Sequence, residues 1–168
     1  MQFQAGAILS WDSMLSLISC TFDENSAKRG GALLLKGTLL QASNSVFTRN
    51  TAQDVGSAVC NSGNDYNHLI FVNCTFVQDS GKGCVFNLLA TDVTDGAKYT
   101  SVVLHDCTYT STSPALCLGT GTRLLYDGSS MGFDSTDGTN VSSATCHTST
   151  GFDWLHTERK VLCTCSAG

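Results

Sequence analysis

At 168 residues the chain is the size of a single domain with a core of its own. Only 14% of its residues are charged, with nine basic against fourteen acidic for a net charge of -5, and no Lys/Arg cluster breaks that balance. This excludes charge-driven disorder and argues against a nucleic-acid partner, and no apolar run approaches the length that spans a bilayer.

Met1 to Leu9 lacks the charged and apolar regions of a signal peptide and opens on a small-apolar phrase, AGAIL, from Ala5 to Leu9. The phrase returns later in the chain as GGALLL at Gly30 to Leu35, which reads as entry in mid-repeat. The expectation is a fragment of a longer protein, without its signal peptide. The segment LSLISCTF, Leu15 to Phe22, then sets a skeleton of apolar, any, apolar, any, any, small, any, large apolar. Its copies are Leu40, Ala42, Ser45, Phe47; Leu69, Phe71, Cys74, Phe76; Val102, Leu104, Cys107, Tyr109; and Leu124, Tyr126, Ser129, Met131. Spacing inside the block never changes, while the starts lie 25, 29, 33 and 22 residues apart. A rigid block on elastic connections predicts a solenoid, since one unit cannot bury its inward side chains alone.

Each block has a tail that also repeats. Turn-formers Asn25, Asn50 and Asp79 follow three residues after the large apolar position, with Thr112 and Asp134 as looser copies. A cluster of small residues then precedes an apolar run, at Gly30 to Leu35, Gly56 to Val59 and Gly83 to Phe86. Period-two alternation with a phase shift before the small residue predicts strands bending at corners, with no helical stripe. Stacked strands lie ~4.7–4.9 Å apart, which predicts an inward ladder of Phe22, Phe47, Phe76, Tyr109 and Met131. Asn and Asp at the bend are expected to cap backbone groups and to tolerate a left-handed conformation, as glycine does at the turn after it.

FDEN (Phe22 to Asn25) and FTRN (Phe47 to Asn50) match an FxxN motif, and Gly30–Gly31–Ala32–Leu33 matches GGA followed by Ile, Leu or Val. Together these resemble the repeats of polymorphic outer-membrane proteins, which are similar to the pectate-lyase-like parallel β-helix. The resemblance is good over about Ala5 to Phe86 and fades to Met131; FVQD and YTST depart from FxxN. It implies an all-β fold, a right-handed parallel β-helix of about five coils over 1–131, and a surface setting.

Later coils carry insertions. Asn61 to His68 is read as a polar turn cluster projecting outward, and Ala90 to Thr100 as a longer loop, while Pro114 suits a corner. From 132 to 168 the pattern dissolves into an irregular coil or cap, in which Trp154 would cover the core, or into the start of a Cys-rich module.

The chemistry-bearing residues are few. His105 and Asp106, with Asp92, Asp95 and Lys98, are the nearest to a catalytic group, but calcium needs six or more converging oxygens, and no such convergence recurs across coils. Asp12, Glu24 and Asp54 fall at different phases of the repeat and form no facing carboxylate pair. Four histidines lack metal-ligand spacing with the cysteines, and no cofactor motif is present. Among nine cysteines, Cys20, Cys74 and Cys107 take the small inward position that Ser45 and Ser129 fill elsewhere. Cys74 and Cys107, one coil apart, are within disulfide reach in Cα spacing, with buried thiols as the alternative; Cys146 with Cys163 or Cys165 is a second candidate bridge. The odd count and two sequons, at Asn73 and Asn140, favour an extracellular, secretory-route setting.

The expected function is a non-catalytic structural or adhesive surface module, whose open ends meet further coils or a neighbouring protein. A carbohydrate-active β-helix (lyase, epimerase or hydrolase) or a carbohydrate-binding module is the alternative. Against it, the outward row Thr21, Val46, Thr75, Thr108 carries no charge, and the aromatics Trp11, Tyr66 and Tyr99 are scattered.

Overall fold

The computed structural model describes residues 4–61, 67–78, 84–88, 100–111, 116–118 and 122–127. Coil 1 comprises β1 (Ile8–Trp11), β2 (Met14–Ile18), β3 (Thr21–Asp23) and β4 (Ser26–Arg29). Coil 2 repeats it as β5 (Leu33–Lys36), β6 (Leu39–Ser43), β7 (Val46–Thr48) and β8 (Thr51–Val55). Coil 3 holds β9 (Val59–Asn61), β10 (Asn67–Val72) and β11 (Thr75–Gln78); coil 4 holds β12 (Phe86–Leu88), β13 (Thr100–His105) and β14 (Thr108–Ser111). Coil 5 holds β15 (Leu116–Leu118) and β16 (Thr122–Asp127). The described residues contain no helix.

Equivalent strands of successive coils pair in parallel. The first sheet runs β1-β5-β9-β12-β15, the second β2-β6-β10-β13-β16, the third β3-β7-β11-β14, and β4 pairs with β8 in a fourth. Leu15, Leu40, Leu69, Val102 and Leu124 are register partners, so the coils advance by the sequence repeat itself. This is the expected right-handed parallel β-helix, in agreement with the handedness of nearly all parallel crossovers.

Single left-handed residues turn the corners. Coil 1 bends at Asp12, Ser19, Glu24 and Gly30, and coil 2 at Gly37, Asn44, Arg49 and Gly56, all with φ between 46° and 69°. Asn73 and Asp106 continue the column of Ser19 and Asn44. One expectation is corrected here: the left-handed residue before β4 and β8 is Glu24 or Arg49, and the motif asparagine follows it. Asn25 and Asn50 turn toward the stack instead: the Asn50 amide satisfies backbone groups of the coil before it, and the Asn25 amide donates to Asn50.

The GGA phrase divides its labour. Gly30 supplies φ +59°, while a Cβ on Gly31 would lie 2.1 Å from the Ser57 carbonyl oxygen of the next coil. Ala32 is then small enough to be wholly buried beside Leu33 and Leu35.

The core is a set of ladders. Phe22, Phe47 and Phe76 stack with ring centroids 4.8 and 4.9 Å apart at 11° and 12°. Phe71 meets Phe47 and Phe76 edge-on, and Phe86 meets Phe71 and Phe76 in the same way. Each such pair contributes ~0.5–1.5 kcal/mol beyond burial. Tyr109 pairs in register with Phe76 and packs on the core half-buried. Met131, Pro114 and the whole of 132–168 lie outside the described residues.

Candidate functional site

At the Ser19, Glu24 and Gly37 corners the left-handed residue is followed by a polar one whose backbone N–H is hydrogen-bonded to a side chain of the next coil. Thr38 N–H donates to Asn67 Oδ1 at 2.9 Å, Cys20 N–H to Ser45 Oγ at 3.1 Å, and Asn25 N–H to Asn50 Oδ1 at 3.1 Å. In all three corners the N–H freed by the bend is accepted by the side chain one coil on. Those side chains donate in turn: Ser45 Oγ to Ser43 O, and Asn50 Nδ2 to Phe22 O, both at 2.9 Å. A buried polar group without a partner costs ~1–3 kcal/mol, so this exchange protects these three bends; at the Gly56 corner the buried Ser57 Oγ has no such partner among the described residues.

The first of these columns corrects the reading of Asn61 to His68 as an outward turn. Asn61 and Asn67 are buried strand residues. Asn67 Nδ2 donates to Asn61 Oδ1 at 2.7 Å, and Asn61 Nδ2 donates to Thr100 Oγ1 at 2.6 Å. The row was legible as Ser13, Thr38, Asn67 and Thr100, each two residues before its block. Residues 62–66 lie outside the described set.

The cysteine column is a corner of the same kind. Cys20, Ser45, Cys74 and Cys107 each donate to the carbonyl two residues earlier, at 2.9 Å for serine and 3.4 to 3.5 Å for sulfur. Cysteine and serine exchange here because both donate and accept, as well as being small. Cys74 and Cys107 are neighbouring thiols, not a disulfide. In-register parallel neighbours have a Cα spacing within the disulfide range but keep their Cβ atoms about a strand spacing apart, so a bond between them needs a small shift of the corner toward the ~3.8 Å mean Cβ separation. The proximity of Cys107 holds the Cys74 thiol below its usual range, while that of Cys74, with burial, pushes Cys107 up. Cys60, buried on the outer side of the first sheet, is pushed up to about 11 by desolvation. Cys146 and Cys163 lie outside the described residues.

On the outer faces, the third sheet shows Thr21, Val46, Thr75 and Thr108 in one row and Asp23, Thr48, Val77 and Thr110 in the next. The Thr108 and Thr75 hydroxyls are 3.1 Å apart. Asp23, Glu24, Asp54 and Asp106 each lie beside a basic side chain, at separate places on the coil. Asp23 forms a fork with Arg49, which also reaches Glu24 at 3.3 Å; Asp54 lies 3.9 Å from both Lys28 and Arg29. His105 Nε2 is 3.2 Å from Asp106, whereas Asp92, Asp95 and Lys98 lie outside the described residues. Among the described residues no group of three or more His, Cys, Asp or Glu side chains could hold a metal.

Asn73 is exposed in the left-handed conformation and donates from Nδ2 to Asn44 Oδ1 at 2.7 Å; Asn140 lies outside the described residues. Trp11 is 61% exposed with the Lys36 ammonium 4.1 Å from its ring centre, while Tyr66 and Tyr99 are outside the described set.

Repeated corners, polar ladders and a ring stack define a repeat-built parallel β-helix. The family model of the Chlamydia polymorphic membrane protein (Chlamydia_PMP) repeat matches residues 19–36. That stretch runs from the Ser19 corner through FDEN and GGAL to the end of β5, one working unit of the coil. A comparison with curated proteins and one with solved structures each found no match.

Proposed function

We propose that the chain is a non-catalytic module of a cell-surface protein, acting by shape and assembly. The observation that carries this reading is that the polar side chains at Cys20, Asn25, Thr38, Ser45, Asn50 and Asn67 serve the coil by closing corners, while Asp23, Glu24 and Asp54 are neutralised by neighbouring Arg and Lys side chains. The match to a membrane-protein repeat supports the surface setting. An extracellular, secretory-route location, with Asn73 and Asn140 as glycan acceptors, belongs to the same reading.

Assembly is assigned to the face of coil 1. Strands β1 to β4 are the edge strands of the four sheets, and parallel edges pair readily. Leu9, Trp11, Met14 and Ile18 of the same coil are exposed, whereas Leu34 and Cys60, which follow Leu9 in its column, are buried. An exposed apolar cluster of this kind fits a protein contact. The partner is a further coil or a neighbouring protein.

Two measurements test the proposal. Incubation with acidic polysaccharides, with and without calcium, is expected to release no unsaturated products; calcium-dependent cleavage lost on changing Asp92, Asp95 or Lys98 would establish a lyase instead. Light scattering should show self-association of the isolated chain that Trp11→Glu with Met14→Glu abolishes. A strictly monomeric wild type removes the coil 1 contact.

A further inference from the structure

Cysteine follows cysteine in a corner column at one described place, between coils 3 and 4. Thr75 and Thr108 are register partners, so Cys74 and Cys107, each one residue earlier, occupy the same corner on neighbouring coils. Both are fully buried, and each sulfur meets a carbonyl of its own coil and one of the coil before, Val72 O and Ala42 O for Cys74, His105 O and Phe71 O for Cys107. Strand spacing of ~4.8 Å falls inside the Cα range of about 4.4–6.8 Å that a disulfide accepts. We propose that Cys74 and Cys107 are a redox-active pair which a small hydroperoxide closes into a disulfide, tying coil 3 to coil 4.

The step balances as follows. The Cys74 thiolate attacks one peroxide oxygen, the O–O bond breaks, and the leaving hydroxide takes a proton to become water. The resulting sulfenic acid is attacked by the Cys107 sulfur; the S–S bond forms, and the displaced hydroxide leaves as water with the Cys107 proton. Two thiols lose two electrons and two protons, and one hydroperoxide is reduced to two waters, or to water and an alcohol.

Three features direct the reaction to this pair. The proximity of Cys107 lowers the Cys74 pKa, which favours its thiolate, the reactive form. Cys20 faces Ser45 and stands two coils from Cys74, about 9.6 Å away by strand spacing, beyond bridging distance. Cys60 has Leu34 and Asn87 as column neighbours, and burial disfavours its thiolate. A hydroperoxide is small and neutral, so a local opening of the corner is enough to admit it.

The test uses the full chain, treated with one equivalent of hydrogen peroxide, alkylated without reduction and mapped by mass spectrometry. The expected product is a Cys74–Cys107 cross-linked peptide, with Cys20 and Cys60 alkylated. The melting temperature should rise by about 5 °C or more and return on adding a thiol reductant. Cys107→Ser keeps the corner hydrogen bonds, as Ser45 shows, and should melt as the reduced wild type does, with neither cross-link nor rise. Peroxide that leaves both thiols alkylatable, stops at sulfinic acid on Cys74, or joins either cysteine to a third overturns the proposal.

Discussion

The side-chain oxygen of Asn50 accepts two hydrogen bonds from Asn25, one from its backbone N–H and one from its amide, while the Asn50 amide donates to the Phe22 carbonyl. One buried side chain therefore closes three polar groups of the coil before it. Asn50→Ala should lower stability by ~2–4 kcal/mol, because it leaves buried partners unmatched. Asn25→Ala removes a half-exposed donor and should cost ~0.5–1.5 kcal/mol. Chemical denaturation of both variants checks the ordering, and equal losses would show that the ladder does not act through its acceptor.

Phe47 has a stacked ring on each side and the edge of Phe71 against it. Phe47→Ala should cost ~3–5 kcal/mol, as expected for a large buried ring. Phe22, stacked on one side only and slightly exposed, should cost less when truncated in the same way. The two midpoints in denaturant decide it.

Gly31 and Gly37 separate two reasons for glycine. Gly31→Ala drives a methyl into the backbone of Ser57 and Thr51, which cannot rotate away, and should cost several kcal/mol. Gly37 needs φ +58° but faces only the Asp12 side chain, so Gly37→Asn should be tolerated within about 1 kcal/mol. Thermal melts of the pair test this.

His68 faces outward on the second sheet between Leu39 and Ser101, and burial lowers its pKa from 6.5. The unfolded chain therefore takes up the proton first as pH falls below 6.5. Stability from neutral His68 is complete above that value and declines below it. Denaturation at about pH 7.5 and about pH 5.5 should show a larger drop for wild type than for His68→Gln. Equal drops would place the acid sensitivity elsewhere.

The sequence carried the coil but hid its corners. Leu15, Leu40, Leu69 and Val102 repeat with the same neighbours, so register and the Phe22, Phe47, Phe76 ladder were legible as a fixed apolar pattern. Glu24 and Arg49 were not legible as left-handed residues, because neither type favours that conformation and the motif draws attention to the asparagine beside each. Asn61 and Asn67 were misread because polar residues in a turn-rich stretch look solvated, and their burial depends on partners in other coils. The cysteine column was read as small, when its hydrogen-bonding capacity explains why serine replaces it.

The corner exchange also gives the molecule a mechanical grain. The bends at Cys20, Asn25 and Thr38 are secured by the coil after them, and register partners lie 25, 29, 33 and 22 residues apart along the chain. A pull applied along the stack would peel the outermost coil while the next still holds. Each event would free roughly 70–120 Å of chain, at ~3.3–3.6 Å per residue. Load on such a module would be shed in unequal steps, the longest from the 33-residue span between Leu69 and Val102.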